Sequence, residues 1–493
     1  MDKTHESVES KQGQKHHNDQ QSDGLHLLYD FVTSPLLAHR KPDNQSSELK
    51  LDAKDLYNTC VKQGDNSLLG MLGLHTRSKE EQEKQEAGCY KSVLEQHQKA
   101  VGEYWNQVEL DKSFGRLIYQ FPPEFNGPPK PAHAEDKVLK TPSAKLPSAN
   151  DMLDNAQELN RLAEQKPDAP DFKPLQLSEG EFKQGYAREA LNVGKKLGLT
   201  AEETEKVVMN VYAFECGGRG TYDLLSGVDK RLTQPDKPGH SEIQEARRSA
   251  HPISSAIGYN QIIMSTNLAI HDKEAAPVAE RLRELAKDSP RGAELEGKAK
   301  LYENLQNNLH KELLLFAAEH PGRRHKYLDH DGNPRYKLYQ DFAASHKPTA
   351  SGLTGRQFSS ALHALNLDGD LGPVIQARQL QHTMQHMLSP EVRANLTKLK
   401  GEKAGEYFGA AVEMANLAGE TNGAAMLKPG RSHLPTVNFF DRKGYEANPI
   451  VQKRNAGQLL EAVYRVRHGA NASRQLYGNA QFEESFRAEQ MQK

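Results

Sequence analysis

The run Phe121–Ser148, FPPEFNGPPKPAHAEDKVLKTPSAKLPS, divides this chain. Each proline fixes its own φ and removes a backbone donor, and it drives the residue before it toward extended backbone. The segment therefore fits neither a helix interior nor a central strand. It reads as an extended linker, partly polyproline II. A second proline stretch, KPDAPDFKP (Lys166–Pro174), repeats the signal. A chain of 493 residues is long enough for two or three domains, and these breaks set their limits. Residues 1–120 read as a polar, mostly disordered region with short helices. Residues 121–174 read as a Pro-rich linker with one helix at about 149–165. Residues 175–468 form the folded domain, and 469–493 a polar tail.

Composition narrows the classes. Hydrophobic residues are 36% of the chain and there is one Trp, so part of it is expected outside a packed core. The 64 basic and 66 acidic residues balance, with no dense Lys/Arg run, which argues against a nucleic-acid binder. Cys60, Cys89 and Cys216 lie far apart without a CxxC, which argues against a disulfide framework and against a cysteine zinc site. No stretch has the length of a membrane span. The start, MDKTHESVESKQGQKHHNDQQSDG, has no apolar core of a Sec signal. A bacterial protein that stays in the cytoplasm, or leaves through a dedicated secretion system, is expected. In the latter case the N-terminal region would meet secretion machinery or a chaperone. No cofactor and no metal are expected: Asp329, Asp331 and Asn333 alternate as calcium ligands do, but the loop lacks the glycine and glutamate of an EF-hand and reads as a turn.

From residue 175 the signals are helical. Ser178/Glu181, Thr200/Glu203 and Thr354/Gln357 are capping boxes opening helices at about 178–198, 200–215 and 355–366. Further helical patterns run at about 262–271, 273–289, 292–319, 370–386, 389–400, 403–418 and 454–468. Residues 219–261 are rich in Gly, Ser and Pro and read as a small irregular or β lobe. The fold class is mainly α.

Glu215 is the outstanding candidate. It closes an apolar helix, VVMNVYAFE, where the negative end of the helix dipole disfavours its charge. Val211, Tyr212, Phe214 and Cys216 surround it in sequence and would desolvate it. Both effects raise a carboxyl pKa, as a proton donor working near neutral pH requires. Asp223 is the candidate second acid. Gly258, Tyr259, Asn260 and Gln261 form a polar edge before a helix: backbone that approaches a ligand closely, an aromatic face and two amides. Asn416 stands near a later helix end, and Tyr445 in the segment GYEANP.

In this order, Glu215-Cys216-Gly217, Ala256–Gln261 and Met414–Gly419 resemble the motifs of the lysozyme-like superfamily, above all the soluble lytic transglycosylases. Ala415 stands where that family keeps a tyrosine; Tyr407, Tyr445 or Tyr259 could substitute. The resemblance covers about residues 178–465. It implies a lysozyme-like helical domain that cleaves β-1,4 glycosidic bonds in peptidoglycan or a related amino-sugar glycan. Glu215 would be general acid/base, with Gly258–Gln261, Asn416 and Tyr445 binding substrate. Such an enzyme needs no second carboxylate, because the substrate's acetamido or 6-hydroxyl group can complete the reaction, whereas hydrolysis would call for a partner acid such as Asp223. The alternative is a non-catalytic helical effector or scaffold that binds a glycan or a protein.

Overall fold

The computed structural model describes residues 53–65, 78–131, 148–162, 172–216, 255–468 and 476–491. Asp223 and most of the expected irregular lobe lie outside them, as do residues 1–52. The described helices are α1 (Ala53–Asp65), α2 (Lys79–Ser113), α3 (Ala149–Leu162), α4 (Glu179–Lys196), α5 (Ala201–Cys216), α6 (Met264–Ala286), α7 (Gly292–Ala318) and α8 (Arg324–Tyr327). They continue as α9 (Tyr336–Ala344), α10 (Gly355–Ala364), α11 (Leu371–Met387), α12 (Pro390–Lys400), α13 (Ala404–Ala418), α14 (Glu420–Met426), α15 (Arg442–Ala447), α16 (Ala456–His468) and α17 (Leu476–Met491). The described residues contain isolated bridges, such as Ile257 with Ile262, and no named strand. No helix among them is long and apolar enough to cross a membrane.

The chain forms two compact units. The smaller comprises residues 1–118 and 122–135. In it α1 packs on α2, a helix opened by a capping box between Ser78 and Glu81. This packing brings Cys60 and Cys89, 29 residues apart in sequence, to a Cα separation of 5.7 Å, and they form a disulfide. The sequence argued against such a bond because spacing alone does not reveal which helices pair. Ala53 N–H donates to Asn126 Oδ1, and Tyr90 meets Phe125 edge to face, so the first residues after α2 fold back on the hairpin.

The larger unit comprises residues 119–121 and 136–493. Its main core follows helical periodicity. On α7, Leu295, Ala299, Tyr302, Leu305, Leu309, Leu313 and Ala317 recur every three or four residues and are buried. They pack against Leu268, Ala275, Val278, Ala279 and Leu282 of α6. The expected break near residue 272 is absent, and α6 runs unbroken with Pro277 inside it. Met152, Ala156 and Leu159 place α3 in this core against α10, so the helix expected within a linker belongs to the domain. Similarly α17, expected as polar tail, packs on α4 and α5 with Phe482 and Phe486 buried. Asp329 accepts from the backbone N–H of Asp331 and Asn333 and from the Asn333 amide, which makes its loop a self-contained turn.

His271 sits in this core, fully buried against Tyr302 with ring centroids 4.1 Å apart. Neither ring nitrogen makes a well-aligned hydrogen bond, although the Leu305 backbone lies near enough to favour its charge slightly. Desolvation wins and lowers its pKa from 6.5 to about 3. The unfolded chain then takes up a proton below pH 6.5 that the folded chain refuses. Stability is present above that pH and is lost as pH falls, by up to about 1.4 kcal/mol per pH unit for this residue. Urea unfolding of a His271→Phe variant at pH 7 and pH 5 should show a correspondingly shallower acid loss. An acid loss equal to that of the parent protein would count against this account.

Candidate active site

The site lies where α5, α11 and α13 converge with the turn at 258–261. Two local features bring them together. First, α5 and α13 cross closely at Gly409, where a Cβ would fall 2.5 Å from Asn210 Nδ2 and 2.9 Å from the Lys206 carbonyl oxygen. Glycine at this position lets the last turns of the two helices meet. Second, Gly258 has φ +75° and a Cβ there would strike the Gln376 side chain at 2.7 Å. That close approach lets Tyr259 N–H donate to Gln376 Oε1 at 2.9 Å, pinning the turn to α11. Gln261 completes the turn at φ +47°, a conformation in which non-glycine residues are strained.

A chain of amides links the expected residues. Tyr186 O–H donates to Asn260 Oδ1 at 2.6 Å. Asn260 Nδ2 donates to Gln379 Oε1 at 2.8 Å, and Gln379 Nε2 donates to Asn416 Oδ1 at 2.7 Å. Asn416 Nδ2 in turn donates to Glu215 Oε1 at 2.8 Å. Each amide's orientation is thus fixed by its neighbours, the basis on which amide oxygens and nitrogens are assigned. The structure brings Glu215, the turn at 258–261 and Asn416 together through these bonds.

Glu215 is partly exposed at the end of α5. Desolvation raises its pKa to about 7, against the opposing influence of the neighbouring Glu413 carboxyl and of the Asn416 amide that donates to it. Glu413 opens the segment Glu413–Gly419 that the sequence singles out, but the sequence reading gives it no role. It lies on α13 one turn before Asn416, fully buried. Neither of its oxygens receives an N–H or O–H. It lies instead against the Glu215 carboxyl and the Asn416 amide, and burial followed by the charge of Glu215 pushes its pKa far above the usual range. The signal was present in the sequence: one carboxylate inside the apolar run FGAAVEMA.

Other expected binding residues have different work. Tyr259 is fully buried, ringed by Phe182, Tyr186, Tyr212 and Phe482 at centroid distances of 5.8, 5.9, 5.2 and 5.3 Å. It is a packing element and offers no stacking face. Asn260 is also buried, and its amide is spent on Gln379 and the Gln376 carbonyl. Gln261, partly exposed, donates back to the Gly258 carbonyl. Tyr445 is buried on α15, its hydroxyl accepting from Lys453 N–H. Tyr407 stacks on Tyr464 at 3.9 Å and donates to Glu461. These tyrosines thus serve packing and local anchoring, and no hydrogen bond described here ties them to Glu215. A cavity of about 170 Å³ between α4, α6 and α11, lined by Glu189, Arg281 and Arg378 among others, does not include Glu215. Among the described residues no group of three His, Cys, Asp or Glu side chains comes together to hold a metal ion.

The arrangement can deliver and recover a proton near neutral pH at a partly exposed carboxyl, with a second carboxyl buried behind it. No family model matches this chain, and neither does any curated protein or solved structure.

Proposed function

We propose that this protein cleaves β-1,4 glycosidic bonds in peptidoglycan or a related amino-sugar glycan, with Glu215 as general acid/base. The observation that carries the reading is the half-buried Glu215 carboxyl at the end of α5, held by Asn416 and joined through Gln379 to Asn260 of the 258–261 turn, where burial raises its pKa toward neutrality. A protonated Glu215 would donate to the glycosidic oxygen as positive charge develops on the sugar ring. The substrate's acetamido or 6-hydroxyl group would then complete the step, and the carboxylate would recover a proton. Glu413, buried behind Glu215, is not placed to attack a sugar, so this differs from the usual two-carboxylate scheme.

The Cys60–Cys89 disulfide supports a working place in an oxidising compartment, the periplasm or beyond. Non-reducing peptide mapping of cell fractions should find the linked peptides outside the cytoplasm; free thiols there would remove this support.

A second reading draws on the internal use of Tyr259 and Asn260, which leaves fewer groups to grip a sugar. On that reading the domain is a helical effector or scaffold that binds a glycan or protein without cutting it. Digestion of purified peptidoglycan followed by mass spectrometry separates the two. Anhydro-ended muropeptides indicate transglycosylase action, and new reducing ends indicate hydrolysis. An undigested polymer that nevertheless retains the protein indicates binding alone.

A further inference from the structure

A fully buried carboxylate with no donor on either oxygen is costly unless it carries a proton. Glu413 is in that position by hydrogen-bond geometry: the Asn416 amide lies near enough to favour its charge but donates to Glu215 Oε1, and the Glu215 carboxyl beside it is an acceptor. Two ionised carboxylates in contact repel, and one proton between them turns that repulsion into a strong hydrogen bond. The proton belongs on the partner with less support for a charge: Glu413 is fully buried with no hydrogen-bond partner, whereas Glu215 is half-buried and has the Asn416 amide to support its charge.

We propose that Glu413 is a positioning residue that stays protonated and donates its carboxyl hydrogen to Glu215. Glu215 then ionises with two donors, the Glu413 hydroxyl and Asn416 Nδ2, and remains able to take its proton back. Without the Glu413 donor, burial would hold Glu215 protonated and spoil its return as a base. Among the described residues, Glu215 and Asn416 are the groups that act on Glu413, and Glu413 and Asn416 those that act on Glu215. Charged side chains on the packed helices are engaged elsewhere: Arg378 and His382 with Glu274, His386 with Glu420, Lys206 with Glu202, and Glu461 with Lys400. The catalytic consequence rests on the proposed role of Glu215, but the proton assignment does not.

The test uses the full chain labelled with ¹³C at glutamate side-chain carboxyls, with a Glu215→Gln spectrum to identify the Glu215 resonance. In the parent protein Glu215 should titrate near neutral pH. Glu413→Gln keeps a donor in place and should leave that midpoint within about half a unit. Glu413→Leu removes the donor and should raise it by roughly one unit, about a tenfold weaker acid. If cleavage is found, the pH–rate profile should shift with the Leu variant and be restored by Gln. A Glu215 midpoint that falls by a unit or more in the Gln variant would show that Glu413 is the ionised partner and would overturn the proposal. So would a Leu variant indistinguishable from the parent. If the Leu variant does not fold, the Gln variant decides alone. Failure to cut peptidoglycan with the titrations as expected would sink the glycosidase reading and leave the proton assignment standing.

Discussion

Glu215→Gln should lower turnover on purified peptidoglycan by about two to four orders of magnitude, the range of a lost general acid. The amide keeps the shape of the side chain but has no ionisable proton. The same substitution should make the protein more stable at alkaline pH. Unfolded glutamates ionise near pH 4.3, while the buried pair of Glu215 and Glu413 holds its protons to higher pH. The stability contributed by these raised carboxyls is complete below the unfolded pKa and is lost as pH rises through the folded values. Removing one of them should recover on the order of a few kcal/mol at pH 8 and little at pH 4. Urea titrations at the two pH values, beside the mass-spectrometric assay, measure both effects. Lost activity with gained alkaline stability is the pattern of a site held strained for function. Full activity in the variant would end the glycosidase proposal as stated.

Tyr259→Ala should destabilise the larger unit by about 3–5 kcal/mol, the cost of emptying an aromatic site in a packed core. The ring is fully buried and touches aromatic residues from α4, α5 and α17 at once. Its loss would loosen the support of α5 below Glu215 and also the α17 contact through Phe482. Denaturant unfolding should register the change, with activity lost in proportion to the unfolded fraction. A variant of parental stability with a raised KM would instead make Tyr259 the sugar-stacking platform that its sequence context suggested.

Local chemistry was the legible part of this chain. The capping boxes at Ser178, Thr200 and Thr354 are all formed, each with the reciprocal bonds expected of them. The helix Gly292–Ala318 matches its periodic pattern almost residue for residue. Glu215 and Asn416 are joined, as the order of motifs suggested. What depended on distant partners was not legible. Tyr259 next to a glycine looked exposed because nothing nearby in sequence announces Phe482. The tail around Phe482 looked polar because two phenylalanines one turn apart are a weak stripe until α4 and α5 are there to receive them. Glu413 opens the segment Glu413–Gly419 but receives no role from the sequence, because a lone acid in an apolar run acquires meaning only when another acid arrives from far away. Cys60 and Cys89 are likewise uninformative until α1 packs on α2.

Glu215 and Asn416 are 201 residues apart in the chain, and the hydrogen bond between them exists only after α5 and α13 have found each other. Closing so long a loop is slow, and its entropy must be met before the contact rewards it. Before that, Glu215 is an ordinary glutamate, ionised at neutral pH and unable to donate a proton. The proposed chemistry is therefore off in the nascent, partly folded or threaded chain and comes on in one step with the completed fold.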